Sequence, residues 1–124
     1  MVAAEAKRRR FFEAKRRAFL GDGLAWNWTL QKRYFPDFEP IVDFVHPMTY
    51  IFEASRVVDS QGDGWNLCER PLEASWQGNV MSVLEELRRW QTLHPSPSDE
   101  KLAKTDGRSI VARTVTYLSN NQSR

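Results

Sequence analysis

Two short β-type runs separated by one helix-length run constrain this chain more than any other feature. "KRRAFLGDG" reads as a strand that ends at Gly21 and turns on Gly23. "LAWNWTLQKRYF" then places Trp28, Gln31 and Phe35 on one side of a helix, with Trp26, Leu30 and Tyr34 on an adjacent one, and Pro36 closes it. "EPIVDFVH" is β-branched and aromatic, with Pro40 near its start, where a strand tolerates it. Its near-continuous apolar character predicts a strand buried on both faces, as in a parallel sheet. A helix between two strands implies a right-handed crossover and parallel neighbours. Two strands alone do not make a stable sheet, so the unit either pairs with something else or belongs to a larger α/β domain.

The rest of the chain reads as helix. Residues 3–12 are Ala-rich, with Glu and Lys/Arg and no breaker. "PMTYIFEASRVV" starts with Pro47 in its first turn and carries Met48, Ile51, Phe52 and Ser55 as an inner stripe. After the loop "DSQGDG", Val80, Val83, Leu84, Leu87 and Trp90 recur at three and four, predicting a helix from Trp76 to Trp90. Its outer face offers Glu85 and Glu86 to Arg88 and Arg89. "HPSPSDE" is another loop, whose Ser98 is a candidate helix cap, and a last helix from about Gly107 turns Ile110, Val111, Thr114, Val115 and Leu118 inward.

Composition narrows the class. A chain of 124 residues is large enough to bury a core without staples, and 41% apolar with 27% charged is an ordinary globular balance. Net charge is only +2, but seven basic residues fall between Lys7 and Arg17, against Glu13 alone. Six of these, Arg8, Arg9, Arg10, Lys15, Arg16 and Arg17, are candidate nucleic-acid contacts. Charge runs more often form a solvated face. Cys68 is alone, so no intrachain disulfide can form; the expectation is a reducing, cytoplasmic setting and a small buried residue rather than a nucleophile. His46 and His94 lie too far apart for a zinc signature, and no apolar run approaches membrane-spanning length.

Ligands of open α/β sheets gather at the carboxyl ends of the strands. Asp22 falls at one such end, and the next strand is expected to finish at Asp43 and His46. Carboxylates at adjacent strand ends suit Mg²⁺, a hard cation that takes oxygen ligands. Taken alone, Asp22 beside glycine is an ordinary turn residue. Asp43, inside an apolar run, is harder to dismiss, because a buried carboxylate needs a partner or a use. His46 is a candidate partner. Trp26 and Trp28 are expected in the core, seating the helix on the sheet; Asp59 and Asp63 are expected in solvent.

The stretch from "EAKRRRFF" to "MTYIFEAS" resembles the middle of a bacterial insertion-sequence transposase of the DDE type, in the Mutator-related, ISKra-like group. Three signatures carry the resemblance in order: "GDGLAWNW", "YFPDFEPIVD" and "IVDFVH". "ASWQGNVMSVLEEL" resembles the helical insertion of such enzymes, and "TVTYLSNN" the segment before their last catalytic block. Leu24, Asn27 and Val45 depart from the residues usual at their positions.

The resemblance implies an α/β, RNase H-like fold in part: two parallel strands with a crossover helix over residues 1–60, then a helical insertion segment over 61–124. It implies Mg²⁺-dependent DNA strand cleavage and transfer in the parent family. Asp22 matches the second of three metal-binding acids, Asp43 and His46 a supporting pair, and Gly21, Gly23, Trp26 and Trp28 the structural motif around them. The first acid is expected upstream of Met1, and the third, a glutamate, downstream of "YLSNN". One acid cannot hold Mg²⁺ in fixed geometry. The expectation is therefore a truncated transposase remnant, inactive alone and retaining no metal. The alternative is a small basic nucleic-acid-binding protein, or one that pairs its sheet edge with an intact transposase or with itself.

Overall fold

In the computed structural model, which describes residues 2–124, the chain is mixed α/β and 64% helical, with one two-stranded parallel sheet. The elements run α1 (Val2–Arg8), a 3₁₀ turn (Phe11–Glu13), β1 (Ala18–Gly21), α2 (Ala25–Tyr34) and β2 (Glu39–Val42). Five helices follow: α3 (Val45–Val58), α4 (Trp65–Trp76), α5 (Val80–Leu93), α6 (Glu100–Thr105) and α7 (Ser109–Asn121). They form two compact units, one of the residues up to Asp43 with Arg124, the other Phe44–Ser123.

In the first unit the strands pair in parallel, Ala18 opposite Glu39 through Gly21 opposite Val42. Phe19 and Val42 are half-buried, while Leu20 and Ile41 point outward, 64% and 39% exposed. The expectation of a second strand buried on both faces is therefore corrected: exposure alternates along β2. Gln31, buried on α2, donates from Nε2 to the carbonyls of Phe35 and Phe38 at 3.0 and 2.9 Å, pinning the turn into β2. Phe12, Phe35 and Phe38 meet ring to ring and close over Ala6 of α1.

The second unit is a helical cluster in which α3 and α5 each pack against α4 and α7. Its core joins Ile51 and Ala54 to Cys68, to Val83, Leu84, Leu87 and Trp90, and to Ile110, Val111 and Leu118. α3, expected to belong with residues 1–60, packs with the later helices. It also starts two residues earlier than expected, at Val45. Pro47 falls in its first turn, where a missing N–H leaves no carbonyl unpaired.

Two further expectations are corrected here. The helix predicted from Trp76 begins at Val80; Gly78, at φ 74°, ends α4, and the Asn79 side chain accepts the Ser82 N–H at 3.3 Å to cap α5. The helix α4 was not foreseen. It carries Pro71 in its interior, against propensity, and exists because Cys68 and Leu72 reach the core. Asp99, not Ser98, caps α6.

Candidate functional site

β1 delivers the chain to a turn that fixes Asp22. Its Oδ1 accepts the Leu24 N–H at 3.0 Å and also the Asn27 side-chain amide. The first bond shapes the turn; the second ties the carboxylate to a residue that is itself buried in α2. Both glycines serve this geometry. A methyl at Gly21 would meet Asn27 Cβ and Trp28 Cη2, each at 3.2 Å, so α2 sits close on the strand end only because there is none. Gly23 turns at φ 86°, in the left-handed region.

Asp43 lies one residue past β2, as Asp22 lies one residue past β1. The Asp43 N–H donates to the Gly21 carbonyl at 2.9 Å, which carries the parallel ladder to the level of the two aspartates. The pair therefore stands side by side at the carboxyl ends of adjacent strands, both half-buried. Asp43 is thus not a carboxylate within a strand, because β2 ends at Val42. His46, expected at the end of that strand, is instead an exposed residue in the first turn of α3.

The tryptophans separate. Trp28 is 6% exposed and meets the Phe19 ring edge-on at 6.4 Å between centroids. Trp26 is 57% exposed, against the expectation that both lie in the core. Two residues span about 200° of a helix, so the indoles leave opposite sides of α2. Asn27 takes the inward place beside Trp28, and its bond to Asp22 was not read from the sequence. The signal available was an amide five residues after an aspartate, on the turn that follows it.

Of the basic stretch, Arg8 and Arg9 both bond Glu5, at 2.5 and 2.6 Å, and Arg10 bonds Glu13 at 2.5 Å. Arg17 donates to the Phe12 carbonyl at 3.2 Å and lies over the Phe38 ring. Lys15 and Arg16 are exposed, with no acidic partner among the described residues. Asp59 and Asp63 are used locally. Asp59 accepts the Gly62 and Gly64 N–H groups at 3.0 and 3.3 Å, and Asp63 the Trp65 N–H at 2.9 Å.

Asp22 and Asp43 offer hard oxygen donors of the kind Mg²⁺ takes. Among the described residues, no three His, Cys, Asp or Glu side chains come together as a metal-holding group. A groove of about 620 Å³ runs along β1, lined by Ala18, Phe19, Leu20, Phe11, Phe35, Phe38 and residues in and just after α1, with none from β2. No family model, curated protein or solved structure matches the chain. No helix among the described residues is long and apolar enough to cross a membrane.

Proposed function

We propose that this chain is a portion of an RNase H-like, DDE-type transposase core that carries the second metal-binding acid, Asp22, and performs no strand transfer by itself. The observation that carries this reading is the pairing of Asp22 with Asp43 at the carboxyl ends of two parallel strands, held level by the Asp43 N–H. Parallel strands joined through a helix are the setting in which such sites are built.

A second feature supports it. The carbonyls of Arg17 and Gly21 bond β2, so the intervening Ala18 and Leu20 direct their backbone groups to the other edge of β1. Among the described residues no strand meets that edge, and the apolar groove borders it. A further strand in that groove would cover Leu20 and bring a third side chain beside Asp22.

A divalent metal held at such a site would supply Lewis-acid activation of a phosphodiester and of the oxygen that attacks it. Asp22 would ligate and Asp43 would support it, with Asn27 and the Leu24 N–H holding the Asp22 carboxylate in place. Two strand-end carboxylates do not complete an octahedral site, so this chain alone is assigned no cleavage. A nicking assay on supercoiled DNA with Mg²⁺ or Mn²⁺ tests this, with Asp22→Asn alongside. The expected result is no cleavage from either; robust nicking that disappears in the variant would overturn it.

The alternative, a small basic nucleic-acid-binding protein, rests on exposed Lys15 and Arg16. Arg8, Arg9 and Arg10 favour it less, since Glu5 and Glu13 offset their charge.

A further inference from the structure

We propose that the outer face of α2 is a binding surface for single-stranded nucleic acid, with Trp26 as the stacking residue, Arg33 as the phosphate contact on the same stripe and Lys32 as a second cation on the neighbouring stripe. Trp26 is 57% exposed, and its indole has neither a hydrogen bond nor a ring partner among the described residues. Thr29, Leu30 and Arg33 continue the same stripe, all exposed, because residues three, four and seven apart share a helix face. The Arg33 guanidinium carbon lies over the Tyr34 ring, 5.2 Å from its centroid.

Charge selects the partner. α2 contains Lys32 and Arg33 and no acidic residue. Across the residues up to Asp43, Lys and Arg outnumber Asp and Glu nine to six. A polyanion complements this face, whereas an apolar protein partner would leave both cations unpaired at its rim. The indole narrows the choice further. Stacking needs an accessible base face, which a single strand presents and a duplex buries between its neighbours. About 10 Å separates Trp26 from Arg33 along the helix, a spacing that lets one strand meet both.

The inference does not depend on the metal site, so binding should persist in EDTA. The test is fluorescence anisotropy of a labelled oligothymidine of about 15 nucleotides, measured with the full chain across a salt series. Trp26→Ala should weaken binding roughly tenfold, while Trp26→Phe keeps most of it. Lys32→Ala/Arg33→Ala should lower the salt slope by about 1.4, the value for two phosphate contacts on a single strand. Trp76→Ala is the control, since Trp76 is 75% exposed but sits on a helix bearing Glu69 and Glu73; it should change nothing. Circular dichroism confirms that each variant is folded. The proposal fails if Trp26→Ala binds like the parent, if duplex of equal length competes equally, or if no binding is seen. It fails too if sedimentation shows that Trp26→Ala dissolves a dimer while leaving DNA affinity intact, which would make this face a protein interface.

Discussion

Asn27 decides how well Asp22 is held. Replacing it with Ala removes a bond to a carboxylate, worth about 1.5–3 kcal/mol, and opens a gap beside Trp28. Urea unfolding should show a loss in that range; an unchanged midpoint would mean the bond contributes nothing. Gly23→Ala should cost about 1–2 kcal/mol in the same experiment, because its φ of 86° is hostile to a Cβ. This turn was legible in the sequence, since aspartate between glycines names its own geometry. The fate of the two tryptophans was not, although helix geometry separates residues two apart; apolarity alone overrode that argument. Burial pushes the Cys68 thiol up, and its Sγ donates to the Trp65 carbonyl at 3.2 Å. It should resist maleimide in the native protein and react after denaturation. The Arg108 side chain and N–H hold the Asp106 carboxyl down at about 2, from 3.8. The depressed value means the contact stabilises the fold above about pH 4 and loses that effect as pH falls through about 2. A ¹³C titration of the Asp106 carboxyl reads it directly.

At the scale of elements, tertiary burial outweighs local preference. α4 forms around Pro71, with Gly64 at φ 77° starting it; any side chain at Gly64 would meet the Arg56 backbone nitrogen at 2.8 Å. Propensity argues against a helix there, so nothing local announced it. α5 was legible because its apolar period is unbroken, though its start was not: Gly78 lies between Trp76 and the stripe. Leu84 and Leu87 are fully buried on that stripe. Leu87→Ala should cost about 2–5 kcal/mol by chemical denaturation, whereas Leu93→Ala, at a 66% exposed site, should change little. Equal effects would mean the core is elsewhere. β2 ends early for a comparable reason. Its apolar run continues past Val42, but Pro47 suits a helix start, so periodicity misplaced His46.

For the molecule as a whole, the order strand, helix, strand and the parallel pairing were legible, because one helix-length run between β-type runs leaves few topologies. The number of later helices was not, since proline and glycine interrupt the pattern without ending the packing. The proposed metal site rests on Asp22 and Asp43 as a pair at the strand ends. A Mn²⁺ titration of the ¹⁵N-labelled chain, followed by amide line broadening, tests it most directly. Two carboxylates without further ligands should give weak, fast-exchanging binding. Broadening should begin at Asp22, Gly23 and Asp43 and should fall away in Asp22→Asn. Broadening that starts at other acids, such as Glu85 and Glu86, and ignores the substitution would contradict the claim.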